Sequence, residues 1–347
     1  MSPTPSSQAL REATDGFLWR QWAQLGVSGH TPFADRWVID PEALLLGTLE
    51  LSRRDPRLFD EVLDWCVRHG RRLSVQRLKT LARAGAWSED AGRALSGLAG
   101  LLAGRLGPRW RVLADTVTPE ETHPLFRGPR GEPLPVWGTP DPHFLRAGLK
   151  RAPVELRGLT GPVPLDRPAC LLLRLRTLFG LSPRAEAVAF LLARGETTAS
   201  EAARAVGYTT PGLVGALSEL AEGGFIAGGP RRGYRLDPAR WATLLGADGG
   251  PPPAWVRWPA VFAVLSRALR TLEEAESGGL SEYLGRSALL RLHDALRETL
   301  AGSGLPGLLF APARLETAPA AVQSALGALR KALSAEWPPP PFGKGEE

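Results

Sequence analysis

Cysteine, methionine, tyrosine and lysine are all scarce in this chain. Its 347 residues include two cysteines, one methionine, three tyrosines and four lysines. Cys66 and Cys170 are isolated, without the close spacing of cysteine metal ligands, and two thiols do not make a disulfide framework. The sequence therefore predicts neither a metal site nor a disulfide-stapled fold.

Long apolar runs are also missing. No stretch reaches the 18 or more consecutive apolar residues that read as a membrane span. The beginning of the chain, MSPTPSSQALREATDG, lacks the charged start and apolar segment of a secretory signal. We expect a cytoplasmic protein that has no membrane partner.

Sequence motifs for catalysis are absent too. There is no Gly-x-x-x-x-Gly-Lys-Ser/Thr loop, no Gly-x-Gly-x-x-Gly after a predicted strand, and no Gly-x-Ser-x-Gly. The five histidines are scattered, and His123 and His143 stand apart from cysteines and clustered carboxylates. Asp35 and Asp40 could mimic a paired-carboxylate metal site, but capping and surface roles are favoured. We expect no enzyme activity, no catalytic residue, no metal and no cofactor.

Positive charge is abundant and unevenly distributed. The chain has a formal net charge of +6, and its isoelectric point is about 9.9. Residues 65–111 contain ten arginines and lysines but only two acidic residues, Glu89 and Asp90, which gives a local net charge of +8. Abundant Ala, Gly, Leu, Pro and Arg suggest a GC-rich coding bias, so the distribution of arginine is more informative than its number. A polyanionic partner is favoured.

The stretch from Thr198 to Leu236 has the clearest local signals. Thr198 followed by Glu201 forms a capping box that starts a helix. Gly207 ends it, because glycine adopts the left-handed backbone conformation without strain. Thr210 is then predicted to cap a second helix, with Pro211 at its first position. The sequence therefore predicts two helices joined by a tight turn.

The second helix is followed by a predicted β-hairpin. Its apolar residues recur at helical spacing, at Leu213, Val214, Leu217, Leu220 and Ala221. Gly223 and Gly224 stop the helix. Phe225–Ala227 and Tyr234–Leu236 are short strand candidates, and the residues between them form a glycine-rich tip that carries two arginines.

This order of elements, with the segment ALSELAEGGFI, resembles winged-helix transcriptional regulators of the broad multiple-antibiotic-resistance and arsenic-repressor type. The resemblance covers about residues 166–245 and implies a winged helix-turn-helix that binds duplex DNA. Two threonines could touch bases or phosphates, and the arginines of the wing favour phosphate contact. The DNA-binding residues that we expect are Thr209, Thr210, Ser218, Arg231, Arg232 and Arg235.

The predicted recognition helix departs from that family pattern. Such helices normally present Arg, Lys, Asn or Gln to base edges. Here the solvent face offers small, hydroxyl and acidic residues instead: Thr209, Thr210, Gly212, Gly215, Ser218, Glu219 and Glu222. The alternative is a protein-interaction or dimerisation module. A model for it is the antitoxin-like component of an abortive-infection or toxin–antitoxin system, with a protein partner encoded nearby.

A second candidate DNA-binding helix is predicted at Ser74–Ala84. A short glycine-bearing turn precedes it, and no acidic residue occurs between Trp65 and Ser88. The competing interpretation is an ordinary solvated helix face in an arginine-rich chain. The expected DNA-facing residues are Arg71, Arg72, Gln76, Arg77, Lys79, Thr80 and Arg83.

Together these patterns predict a mainly α fold with a small β-hairpin wing. The predicted organisation is an N-terminal helical domain at 1–116, with its own candidate helix-turn-helix, a Pro/Gly-rich connector at 117–165, the winged helix-turn-helix at 166–248, a C-terminal helical bundle at 254–337 and a flexible tail at 338–347. We expect a bacterial-type DNA-binding transcriptional regulator that forms a homodimer, since dimers match two half-sites.

Overall fold

A computed structural model of the chain describes residues 6–28, 37–84, 87–117, 119–129, 131–245, 252–305 and 307–334. Most of these residues are helical, and the few strands are two or three residues long, so the predicted mainly α class is confirmed. In the described ranges, no helix is both long enough and apolar enough to cross a membrane. Asp35 and the predicted tail at 338–347 lie outside those ranges.

The N-terminal half is built from closely spaced helices. Asp40 and Asp55 accept hydrogen bonds from the backbone N–H groups of Ala43 (3.0 Å) and Leu58 (2.9 Å), so both are N-caps as their sequence positions before proline predict. The elements are α1 Ser7–Gln24, α2 Pro41–Leu51, α3 Pro56–His69, α4 Val75–Ala84, α5 Glu89–Leu106, α6 Arg111–Ala114, β1 His123–Pro124, α7 Pro142–Arg146 and β2 Leu149–Lys150.

The predicted connector at 117–165 contains regular structure as well as loops. β1 and β2 pair in parallel, with His123 opposite Leu149. Helix α7 lies between them in sequence and packs on α5, where Gly97 leaves room for the ring of Phe144. The segment is thus attached to the N-terminal helices.

The C-terminal half contains the remaining helices and an antiparallel hairpin. A single 3-10 turn, Pro168–Cys170, leads into it. The elements are α8 Leu171–Phe179, α9 Pro183–Arg194, α10 Ala199–Val206, α11 Thr210–Glu222, β3 Ala227–Gly229, β4 Gly233–Arg235, α12 Pro238–Leu245, α13 Trp258–Glu276, α14 Glu282–Ala301 and α15 Ala318–Leu333.

Two compact units can be distinguished in the chain. One comprises Leu18–Pro259 and the other combines Met1–Phe17 with Ala260–Glu347. The limits predicted after residues 116 and 165 both fall inside the larger unit.

The smaller unit is held together by the three predicted C-terminal helices and the first turns of α1. Helices α14 and α15 pack on each other along two leucine-rich stripes. Ser7 donates its backbone N–H to Glu276 (2.8 Å), and the rings of Phe17 and Phe262 lie 6.3 Å apart. The apolar stripes of α14 and α15 are therefore buried.

The larger unit has an apolar core that extends through α8–α12. Leu172, Val188, Leu213 and Leu217 are completely buried in this core. Val38, which lies far earlier in the sequence, belongs to the same cluster. Its backbone N–H bonds to the carbonyl oxygen of Ala254 (2.9 Å), so two distant segments meet beside the core.

Candidate nucleic-acid interface

The hairpin β3–β4 is positioned by a third short segment. β3 and β4 are antiparallel, with Gly228 opposite Tyr234. On the other side of β4, Thr197 exchanges two backbone hydrogen bonds with Tyr234, at 3.0 and 2.8 Å. Tyr234 is fully buried. The hairpin is thereby fixed to the start of α10 and to the core beneath it.

The strands lie slightly away from the predicted positions. Pairing begins at Ala227 and not at Phe225, and the second strand begins at Gly233 and not at Tyr234. The connection therefore shortens to Pro230–Arg232. Gly228 has a φ of +108°, and a Cβ built on it would lie 2.0 Å from the carbonyl oxygen of Gly233. Glycine is needed there because the two strands approach too closely for a side chain.

Three arginines of this hairpin project into solvent. Arg231, Arg232 and Arg235 are all exposed. None of their side chains forms an ion pair or hydrogen bond within the described part of the chain. Glu196 is the acidic side chain nearest to Gly233, where its Oε1 lies 3.4 Å from an ideal Cβ. The hairpin therefore presents free guanidinium groups to solvent.

Helix α11 begins one residue earlier than predicted. Thr209, not Thr210, is the N-cap, and its hydroxyl oxygen accepts the N–H of Gly212 at 3.4 Å. The prediction that Thr210 caps this helix is wrong because Thr210 already has helical geometry. Both threonines are exposed, so their hydroxyl groups remain accessible at the helix N-terminus.

The rest of the α11 surface is weakly suited to reading bases. The hydroxyl of Ser218 lies 3.2 Å from that of Tyr234, so this predicted DNA-binding residue holds the helix against β4. Glu219 is paired with Arg184 of α9, and Glu222 is exposed. Arg184, which α9 places beside this face, is thus already engaged by a carboxylate.

Arg77 is the clearest correction to the sequence interpretation. We expected it to be exposed on α4, but only 2% of it is accessible. Its guanidinium group contacts Asp40, lies 2.8 Å from a carboxylate oxygen of Glu42, and donates through Nε to the carbonyl oxygen of Val206 (2.8 Å). Arg77 therefore holds α4 to the end of α10 and is not accessible to DNA.

The carboxylate of Glu42 also binds a second buried arginine. Arg176 of α8 donates to the two oxygens of Glu42 at 2.7 and 2.8 Å and to Glu186 of α9 at 2.6 Å. Burial by itself raises the pKa of Glu42. The charges of Arg176 and Arg77, with hydrogen bonds from Arg176 and Ser74, more than offset burial and hold that pKa below its ordinary value.

The remaining N-terminal candidates, on α4 and on the turn before it, keep their predicted exposure more closely. Arg71, Gln76, Thr80 and Arg83 are exposed, whereas Arg72 and Lys79 are half-buried. The buried side of α4 contacts the turn between α10 and α11, where Leu81 lies 2.9 Å from an ideal Cβ at Gly207. The two predicted surfaces therefore belong to one unit and share that turn.

The burial of Arg77 had a signal in the sequence. Ser74, Arg77, Leu78 and Leu81 follow the i, i+3, i+4, i+7 spacing of a buried helix face. An arginine on such a face requires buried carboxylates. Asp40 and Glu42, at the start of an unusually apolar helix, supply them.

No metal cluster is present in the described ranges, since no three His, Cys, Asp or Glu side chains there are placed to hold an ion. Comparison of the chain with protein-family models, with curated proteins and with solved structures gives no match in any of the three.

Proposed function

We propose that residues 166–245 form a winged helix-turn-helix and that the protein is a DNA-binding transcriptional regulator. The order of elements along the chain supports this module: α9, Thr197, α10, α11, β3 and β4. Thr197 and β3 pair with opposite edges of β4. A helix pair followed by a β-hairpin wing is the arrangement expected of that module.

The observation that carries the proposal is the set of free arginines on the hairpin. Arg231, Arg232 and Arg235 are exposed on a short hairpin that the core holds in place. Guanidinium groups bind phosphate oxygens through paired hydrogen bonds. In this proposal the wing contacts the DNA backbone, which positions the protein without reading sequence.

The N-terminus of α11 supplies a second contact in this proposal. Its first turn carries the positive end of the helix dipole, which favours a phosphate, although Pro211 has no N–H and the N–H of Gly212 is already capped by Thr209. Thr209 and Thr210 add hydroxyl groups beside it. Exposed Arg83 and half-buried Lys79 lie on α4, which packs against the same turn, and they extend the positive surface.

The wing can be tested with a matched pair of charge reversals. We expect Arg231→Glu with Arg232→Glu to weaken duplex DNA binding by about tenfold or more at low salt, since each change removes one phosphate contact and adds a repulsive charge. The control is Arg270→Glu with Arg330→Glu, which makes the same charge change at exposed positions on α13 and α15.

Binding is measured by fluorescence anisotropy on a duplex from the upstream region of the gene and on an unrelated duplex. The proposal is supported if the wild type binds both duplexes and the affinity falls in the Arg231→Glu, Arg232→Glu variant but not in the control variant. Equal losses in the two variants would mean that net charge alone drives binding, and absence of binding to any duplex would end the proposal.

A second candidate function is protein docking through α11. The observation that favours it is the exposed surface formed by Gly215, Glu222 and Phe225, the last of which is 46% accessible. This surface joins a glycine, a carboxylate and an apolar ring over which the guanidinium group of Arg240 lies at 6.0 Å, whereas a DNA-reading helix normally presents polar or basic side chains to the bases. Co-purification of the neighbouring gene product with the wild type but not with Phe225→Asp, together with absent DNA binding, would favour this function.

A further inference from the structure

Four exposed arginines lie near the C-terminal end of α5. Arg105 belongs to the last turn of this helix, and Arg109 and Arg111 follow it within six residues. Arg71 belongs to the 3-10 turn Gly70–Arg72, which precedes α4. All four side chains are exposed to solvent. These four residues define the arginine patch.

The turn that carries Arg71 packs on the end of α5. A Cβ built on Gly70 would lie 2.7 Å from Cδ1 of Leu106 and 3.4 Å from Cζ2 of Trp110, which is fully buried. Arg109 donates through Nη2 to the carbonyl oxygen of Gly70 at 2.7 Å. Its guanidinium group lies 5.8 Å from the centroid of the Trp110 ring. The fold therefore holds Arg109 beside the turn of Arg71.

The arginine patch has no counter-charge of its own. No acidic residue occurs in the sequence from 65 to 88 or from 91 to 114. Among the described residues, no carboxylate forms an ion pair with the four arginines, and the three other than Arg109 make no side-chain hydrogen bond. Burial and the charge of Arg71 lower the pKa of Arg109. Like charges are thus held together without a carboxylate between them.

Stabilisation of helix ends accounts for only part of the patch. Arginine side chains near a helix C-terminus bind its free carbonyl groups and interact favourably with the helix dipole. Arg109 does so at Gly70, where α3 ends. The other three arginines leave their guanidinium groups to solvent, so they are available to an anion.

The patch adjoins the helix that connects it to the proposed DNA interface. Arg71 lies just before the start of α4, and Leu81, in the last turn of α4, contacts Gly207 between α10 and α11. Helix α4 has 10 residues, which corresponds to about 15 Å at about 1.5 Å per residue. One helical turn of duplex DNA extends over about 34 Å. A single duplex is therefore long enough to reach both ends of α4.

We propose that the arginine patch binds the phosphate backbone of the same duplex as the wing, at a second contact separate from the hairpin. The inference rests on the proposed function, since it concerns where that DNA is held. A duplex supplies the row of negative charges that the patch lacks. Arginines spread over two segments suit an extended chain of phosphates better than one small anion, and such contacts add affinity without reading sequence.

A double charge reversal tests the patch. We expect Arg105→Glu with Arg111→Glu to weaken duplex binding by about tenfold or more at low salt, and to make the salt dependence shallower by about 2, because two phosphate contacts are lost. Both side chains are exposed and have no hydrogen bond to lose. If this variant fails to fold, Arg105→Gln with Arg111→Gln takes its place, with the same direction of change.

The binding is measured by fluorescence anisotropy on a duplex of about three helical turns, beside the wing double variant and the control double variant defined above. Losses in the patch variant and the wing variant, with none in the control, support both contacts. A loss in the wing variant alone overturns the patch and leaves the proposed function standing. A loss in the patch variant alone supports the patch and removes the wing. Equal losses in all three variants, or no binding of any duplex by the wild type, would overturn both.

Discussion

At the scale of single residues, Arg77 shows that the chemical type of a side chain and its position on a helix can indicate different roles. A basic side chain preceded by other arginines predicts contact with DNA, yet the helical position of Arg77 places it among buried groups. There it neutralises Asp40 and Glu42 and caps the end of α10. Its role is therefore to join helices, and Arg83 and Lys79 of α4, with Arg71 and Arg72 just before it, remain the basic candidates for DNA contact.

Replacing Arg77 should reduce stability far more than replacing its exposed neighbour. Arg77→Ala leaves two buried carboxylates with one fewer partner, and breaking a buried ion pair costs about 3–5 kcal/mol. Arg83→Ala on the same helix should change the free energy of unfolding by less than about 0.5 kcal/mol. Urea denaturation measures both. A loss below about 1 kcal/mol for Arg77→Ala would show that the buried network contributes little.

The same network predicts a loss of stability in acid. The pKa of Glu42 is lowered on folding, so the folded state binds this proton less readily than the unfolded state does. Its contribution to stability is complete above the ordinary pKa of 4.5 and is lost as the pH falls through the lower folded value.

Unfolding free energies measured between pH 6 and pH 3 test this expectation. The wild type should lose stability progressively below about pH 4.5. Glu42→Gln, which cannot titrate, should be less stable at pH 6 and should show a flatter dependence. Equal slopes for the two proteins would contradict the assigned role of Glu42.

At the scale of elements, the local signals proved the most dependable. The capping box of Thr198 and Glu201 and the left-handed Gly207 are both present in the structure. Each of these signals acts within four residues, so the sequence contains all that is needed. The hairpin was misplaced by one or two residues because its register depends on Thr197, more than thirty residues before Tyr234.

Gly228 provides the sharpest test of the hairpin. Its positive φ and its contact with Gly233 leave no room for a methyl group, so Gly228→Ala should destabilise the hairpin by about 1–3 kcal/mol. Gly229→Ala is the matched control, because nothing lies within 4 Å of an ideal Cβ there and its φ is not positive.

Hydrogen–deuterium exchange of the backbone amide of Arg235, measured by mass spectrometry on the peptide that contains the hairpin, reports the local loss of stability. Faster exchange and weaker DNA binding in Gly228→Ala, but not in Gly229→Ala, is the expected pattern. Similar exchange in both variants would mean that the close approach of the strands does not constrain the wing.

At the scale of the whole molecule, the main feature that the sequence did not predict is a buried ionic network that joins α2 to α8. Glu42 of α2 and Arg176 of α8 are 134 residues apart and meet in one buried network. Arg72 joins it through its carbonyl oxygen, 2.9 Å from Arg176. Helical periodicity identifies which face is buried but not which distant face it meets, so this pairing needed the structure.

The proposed DNA interface is likewise spread over the larger unit. It combines the arginines of the hairpin, the two threonines at the start of α11 and the accessible basic residues on α4 and just before it. Each element was found from the sequence, but the contact of α4 with the turn between α10 and α11, through Leu81 and Gly207, was not. Whether these groups act together is a question about the number of phosphates that the protein neutralises.

The salt dependence of binding to duplex DNA measures that number directly. For a protein that engages three or more phosphates, the logarithm of the association constant falls with the logarithm of salt concentration with a slope of about −3 or steeper. The account predicts such a slope for the wild type, and a slope shallower by about 2 when Arg231 and Arg232 are both changed to glutamate. A wild-type slope near zero, or one that the wing changes leave unaltered, would contradict the claim that this cationic hairpin binds DNA.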